Sequence, residues 1–167
     1  MQRILVIGCP GGGKSTLARA LGAKLALPVT HLDSIWWQPG WVEMGAEKFR
    51  PLVEAVAAKD RWVIDGNYSN TFDIRMPRAD TIVWVDQPRL TCLWRVFARA
   101  VTQLGRVRED AAPGCPERLD PEFFRYVWSF RREHEAKIEA ALAEHGAPAR
   151  VFRLRSDSEV AEFMLAI

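Results

Sequence analysis

The chain is poor in cysteine: three in 167 residues, and Cys9, Cys92 and Cys115 are widely scattered. An odd number without paired spacing excludes a zinc site or a disulfide framework as the organising device, and the thiols are expected to be reduced. Long hydrophobic runs are missing too. No run approaches the ~20 residues that span a bilayer, and the apolar run that opens at Ile4 stops at Gly8, too short for a secretory signal, so a cytoplasmic place is expected. Charge of one sign is scarce: 23 basic against 21 acidic residues leave a net +2, too little to argue for nucleic acid. No internal repeat, low-complexity tract or recognised DNA-binding motif occurs. What remains, 49% hydrophobic and 26% charged, is a globular composition at the length of one domain, and a single domain over 1–167 is expected.

The apolar runs are short and alternate with helical patterns. "RILVI" (3–7) reads as a strand buried on both faces, and "KSTLARALGAKLAL" (14–27) as a helix closed by Pro28, with Leu17, Leu21 and Leu25 four residues apart. Further strands are predicted at "PVTHL", "RWVID", "TIVWV" and "PARVFRL". Helices are predicted near 46–58, from Pro88 to about Gln103, and over "SDSEVAEFML". Asp120 caps and Pro121 opens a long helix ending near Gly146. Such alternation predicts an α/β fold, a parallel sheet with helices on both faces and ligands at the carboxyl ends of the strands. Those ends are marked by Gly8, Asp33, Asp65 and Asp86. The polar stretch "GRVREDAAPGCPER" reads as a mobile insertion.

"GCPGGGKSTLARALG" (8–22) fits G-x-x-x-x-G-K-[ST], with Gly8, Gly13, Lys14 and Ser15 in place, Gly11 and Gly12 inside the loop and Thr16 after it. A chance match is expected in well under about one chain in a hundred at ordinary glycine and lysine frequencies. Glycines let successive backbone N–H groups converge on one point, and the following helix adds its positive end. Lys14 is placed to reach the β- and γ-phosphates of a nucleotide, and Ser15 to hold Mg²⁺. No N-K-x-D base-reading phrase occurs, which disfavours a GTPase and favours ATP.

With this loop the chain resembles the adenylate-kinase branch of P-loop proteins. "HLDSIWWQPGW", "VIDGNYSNTFDIR", "RADTIVWVDQPR" and "GCPERLDPEFFRYVW" are similar to the bacterial DNA topology modulation family, classed with those kinases. The resemblance covers almost the whole chain. It implies a three-layer α/β/α P-loop NTPase fold with a five-stranded parallel sheet, an ATP site and a lid at 105–119. It also implies that Asp65, in "VIDG", holds a magnesium-bound water. Adenylate kinases grip the acceptor monophosphate with two arginines, and here those places hold Trp36 and Ser69. Losing both guanidiniums removes the strongest class of phosphate contact.

Asp33, at a strand end, is the candidate to orient or deprotonate an attacking hydroxyl, as in small-molecule kinases of the shikimate and gluconate type; a turn or helix cap is its other reading. Trp36, Trp37, Trp41 and Tyr68 offer aromatic faces to a flat acceptor or fill core, and His31 reads as structural. By resemblance, Arg95 and Arg99 face the ATP phosphates or base, while Arg106 and Arg108 close from the lid; Arg125, Arg131 and Arg132 are second-rank candidates.

The expectation is thus an ATP- and Mg²⁺-dependent kinase. Its catalytic residues are Lys14, Asp33, Arg99 and Arg106, and its acceptor lies near Asp33, Trp36, Asn67 and Tyr68. Two alternatives stand beside it: a nucleoside monophosphate kinase that grips phosphate with Arg75 or Arg78, and a nucleotide-dependent regulatory or DNA-binding protein.

Overall fold

A computed structural model describes residues 1–108 and 110–167; Glu109, inside the expected lid, lies outside the described residues. The chain runs β1 (Arg3–Gly8), α1 (Lys14–Leu25), β2 (Val29–His31), α2 (Leu32–Trp36), β3 (Trp37–Gln38), β4 (Val42–Glu43), α3 (Ala46–Ala57) and β5 (Trp62–Asp65). A 3₁₀ turn (Ser69–Thr71), α4 (Phe72–Arg75), β6 (Thr81–Val85), α5 (Arg89–Thr102), α6 (Pro121–His145), β7 (Arg150–Leu154) and α7 (Asp157–Ala166) follow.

The five apolar runs pair in parallel in the order β2-β5-β1-β6-β7. Alternation along each strand supplies both faces. Ile4, Val6, Val63, Val83 and Val85 meet Leu17 and Leu21 of α1 and Phe163 of α7. Leu5, Ile7, Ile64, Ile82 and Trp84 meet Phe49 and Val53 of α3, Cys92 and Val96 of α5, and Val127, Phe130 and Ile138 of α6. Each such fully buried side chain contributes about 1.5–3 kcal/mol. The carboxyl ends of β2, β5, β1 and β6 therefore open on one edge, where the turns after them converge.

The caps behave as the sequence reads. The Asp120 carboxylate accepts from Glu122 N (3.0 Å) and Phe123 N (3.2 Å) with Pro121 next, and Ser156 Oγ accepts from Glu159 N (3.2 Å). Three details differ. α1 stops at Leu25, before Pro28, because Ala26 turns left-handed and Leu27 N returns to Gly22 O (2.9 Å). The second strand ends at His31 and Leu32 begins a short helix. Two-residue strands then form a hairpin through Gly40 and Trp41, too short for any periodicity to show. The 105–118 segment is pinned at its base, where Gly105 N donates to Glu117 O and Glu117 N to Arg106 O (both 2.9 Å). Its far side is stitched to the hairpin: Gly40 N donates to Gly114 O (2.9 Å), Trp41 Nε1 to Pro116 O (3.0 Å) and Cys115 Sγ to Gln38 O (3.1 Å). Together they roof the edge where the strands end. All three cysteines are buried and free.

Candidate active site

The loop between β1 and α1 owes its shape to glycine. Gly8 has φ +134° and a Cβ there would sit 2.0 Å from Val85 O; Gly11 has φ +79° and a Cβ would meet Cys92 O at 2.4 Å. Gly12 N closes the loop on Cys9 O (3.0 Å), and Lys14 Nζ donates to the same carbonyl (3.1 Å). α1 begins at Lys14 after the N-cap Gly13, with no acidic residue in its first turn and no side-chain cap among the described residues. The N–H groups of Lys14, Ser15 and Thr16 thus stand at an uncapped helix N-terminus beside an ammonium, which is what a phosphate requires.

Asp65 ends β5 next to β1 and is buried, 4% exposed. Its Oδ2 is held by His31 Nδ1 at 2.8 Å, while Oδ1 is buried without a hydrogen-bond partner among the described residues. An orphaned carboxylate oxygen beside the Ser15 loop suits Mg²⁺, which is bound by one or two side chains together with phosphates and waters. No group of three or more His, Cys, Asp or Glu that would cage a metal unaided occurs among the described residues. The donor set therefore fits Mg²⁺ arriving with a nucleotide. His31, read as structural, is what orients Asp65.

Asp33 lies inside α2, whose N-cap is His31 without a side-chain cap bond, so capping does not occupy it. Its Oδ1 instead accepts from Tyr68 Oη at 2.7 Å. The carboxylate is open to the cleft but ringed by protein. Burial raises its pKa above the ordinary range, Asp65 adds like-charge repulsion, and the Tyr68 hydroxyl, Lys14 and Arg108 pull the other way. Tyr68 is fixed by strain and stacking: it sits at φ 35°, with its ring 4.9 Å from Phe49 and 5.6 Å from Trp36. Trp36 lies edge-on to Phe49 at 5.0 Å, part of the same wall.

Two expected acceptor ligands have other work. Asn67 faces β1 rather than the cleft: its Oδ1 accepts from Gly8 N (2.8 Å) and its Nδ2 donates to Gly8 O (2.7 Å), clamping the start of the glycine loop. Arg75 is fully buried. Its guanidinium donates to Gly66 O (2.8 Å), Tyr68 O (3.0 Å), Thr71 Oγ1 (3.0 Å) and Asn67 O. These groups take four of its five N–H bonds, so it stands as an internal scaffold for the turn after β5 and not as a phosphate ligand. Burial pushes its pKa down to about 9, which leaves it charged at neutral pH. Arg75→Met strands three carbonyls. It is expected to lower the unfolding free energy by about 3–5 kcal/mol in urea melts; native stability with a large KM change would instead restore it to the acceptor site. Arg78 is exposed and bonded to Ala58 O (3.0 Å).

The cations form a chain across the cleft. Arg19 Nη1 of α1 lies 3.7 Å from Asp110, and Arg108 Nη1 lies 2.8 Å from the same carboxylate. Arg108 Nε and Arg99 Nε approach Glu117 at 2.6 and 3.1 Å, as charge contacts off the line of a hydrogen bond. Burial raises the Asp110 pKa, but Arg108 and the Ser15 hydroxyl outweigh it and hold the carboxyl below its usual value. Arg108 is thereby carried within electrostatic reach of Asp33. Arg106 is exposed, two residues away, its main chain pinned to Glu117. Arg95 bonds Asp157 (2.6 Å) and lies over the loop, its Nη1 4.0 Å from a Cβ at Gly13. Arg125 is exposed; Arg131 pairs with Glu135 (3.1 Å) and stands 3.7 Å from Asp86 just past the end of β6, and Arg132 pairs with Glu133 (3.4 Å).

Sequence reasoning missed Asp110, Glu117 and Arg19, ordinary charges until the fold aligns them. It also missed Tyr126 of α6, whose pKa burial pushes up to about 12, with Asp33 among the charges it feels.

No protein-family model matches the sequence, and no curated relative does. Solved structures do. The shikimate kinase of Acinetobacter baumannii in complex with shikimate superposes with TM-score 0.64 at 13% identity over 99% of this chain and 90% of that one. That of Bacteroides thetaiotaomicron gives 0.54 at 19% over 99% and 95%, and that of Aquifex aeolicus 0.52 at 18% over 98% and 94%. The chain has the α/β P-loop fold of these kinases, the adenylate-kinase-like architecture expected from its sequence. The DNA topology modulation family is not shown.

Proposed function

We propose that the chain is an ATP- and Mg²⁺-dependent phosphotransferase that moves the γ-phosphoryl group to a hydroxyl of a small acceptor. The observation that carries this reading is a carboxylate with no salt bridge among the described residues, Asp33, held by the Tyr68 hydroxyl and within electrostatic reach of Lys14. The loop amides and Lys14 bind the β- and γ-phosphates; Ser15 and Asp65 would hold Mg²⁺, which would offset phosphate charge. Asp33 accepts the proton of the attacking hydroxyl as the new O–P bond forms and the bond from γ-phosphorus to the ADP oxygen breaks. Arg108, held between Asp110 and Glu117, supplies positive charge to the equatorial oxygens, with Arg99 and Arg95 along the nucleotide. The 105–118 segment acts as the lid, and its seam with the hairpin excludes water.

The monophosphate-kinase alternative loses Arg75, its proposed grip. The reading, set in the cytoplasm where ATP is abundant, is tested by labelled-ATP transfer to hydroxylated metabolites, nucleosides and monophosphates. Arg108→Ala is expected to lower kcat by on the order of 10²–10³-fold, and Arg106→Ala by less than about tenfold. Equal losses would remove Arg108 from its assigned role.

A further inference from the structure

α5 presents three faces. Cys92, Val96 and Ala100 are buried against the sheet, and Arg95 and Arg99 turn to the cleft. The third face is largely uncovered by the described residues: Leu90, Trp94, Phe97 and Val101, continued by Leu104 just past the helix end, are each between 47% and 72% exposed. Their steps of four, three, four and three residues are the 3.5-residue repeat of a coiled-coil seam, so they line one narrow stripe. α6 widens it. Phe124 lies 6.5 Å from Phe97, and the exposed Trp128 lies under the Arg89 guanidinium at 4.7 Å.

A stripe of large, accessible apolar side chains has no use in water. Counting about 150–250 Å² for a whole aromatic side chain and less for Leu and Val, the exposed parts of these residues and Trp128 amount to roughly 400–700 Å². That stands at the upper end of the ~300–600 Å² of the largest patch on ordinary monomers, toward the ~800 Å² each partner gives to a stable interface. The residues flanking the seam toward solvent, Thr91, Ala98 and Thr102, are small and uncharged. Two copies can therefore approach closely along α5, and the cation the patch carries, Arg89 on Trp128, sits at its α6 edge and not among the stripe residues.

We infer that this face is a two-fold interface with a second copy of the chain, α5 packed on α5. Such an interface is self-complementary: the stripe on one protomer is the groove-filling stripe of its partner. The pairing leaves the arginine face of α5 to the nucleotide in each protomer, so it goes beyond the proposed activity and does not depend on it.

Sedimentation velocity on the full chain tests this. The wild type is expected at twice the 18.9 kDa of the chain at micromolar concentration, the weak end for an interface of this size. Trp94→Glu with Phe97→Glu is expected at the single mass, with an unchanged far-UV spectrum and an unfolding midpoint equal to that of the wild type diluted below its dimer Kd, because both side chains are exposed in one protomer. Leu90→Glu alone is expected to raise the dimer Kd by about tenfold or more. A wild type that stays at the single mass up to about 100 μM, beyond the weak end of standard interfaces, overturns the inference. So does a dimer that survives the double substitution, or a single-mass protein that instead binds phosphatidylcholine vesicles through the stripe.

Discussion

Lys14→Ala is expected to raise the Kd for MgATP by about 10–100-fold, the worth of a charge-assisted contact of about 1.5–3 kcal/mol. Turnover is expected to fall further, by on the order of 10³-fold, because the ammonium meets more charge in the transition state than in the bound nucleotide. The fold is expected to survive. Lys14 Nζ donates to Cys9 O, a local bond across five residues, and its loss costs about 1 kcal/mol. Calorimetry with MgATP, turnover and a urea melt on the same preparation separate the three quantities. Binding and turnover at wild-type levels would remove the glycine loop from the phosphate site, whatever the acceptor. Removing Mg²⁺ with a chelator is expected to abolish turnover, since Ser15 and Asp65 Oδ1 would hold the metal together with phosphate oxygens and waters.

What could be read in advance was what local geometry dictates. The spacing of Gly8, Gly13, Lys14 and Ser15 is set by a turn of a few residues that must bring amides to a point. The alternation of Ile4, Leu5, Val6 and Ile7 between two cores is a period of two that any buried strand shows. What escaped depends on contacts made across the fold. Asn67 looks like a polar turn residue until the parallel pairing of β5 with β1 sets it against Gly8, 59 positions away. Arg75 looks like a free cation until Tyr68 turns left-handed and aims three carbonyls inward. Arg106 and Arg108 cannot be ranked from composition. Their difference lies in Asp110 and Glu117, which the base of the 105–118 segment brings to Arg108 and not to Arg106. The stripe on α5 was equally invisible, because 3.5-residue apolar spacing predicts a buried face until the sheet claims the neighbouring one.

Asp33→Asn isolates the proton acceptor, and stability and activity are expected to move in opposite directions. The amide keeps an oxygen for Tyr68 Oη, so the local hydrogen bond survives. It accepts no proton, so kcat is expected to drop by about 10²–10⁴-fold. In the wild type, activity rises with pH as Asp33 ionises. Burial, with Asp65 beside it, puts that rise above the ~3.9 of an ordinary aspartate. The acidic limb should be missing from the residual activity of the variant. The same raised pKa governs stability with a definite sign. The folded chain binds this proton more tightly than the unfolded chain, so the associated stability is complete below the unfolded carboxyl pKa and is lost as pH climbs through the raised folded value. At pH 7 the ionised carboxylate is a burden on the fold, reduced by the solvent that reaches this exposed residue, and Asp33→Asn is expected to melt slightly above the wild type. Near pH 3 both carry a neutral group and the difference closes. A variant with wild-type kcat would remove Asp33 from the role of proton acceptor. A lower Tm at pH 7 would mean that the carboxylate supports the fold and does not burden it.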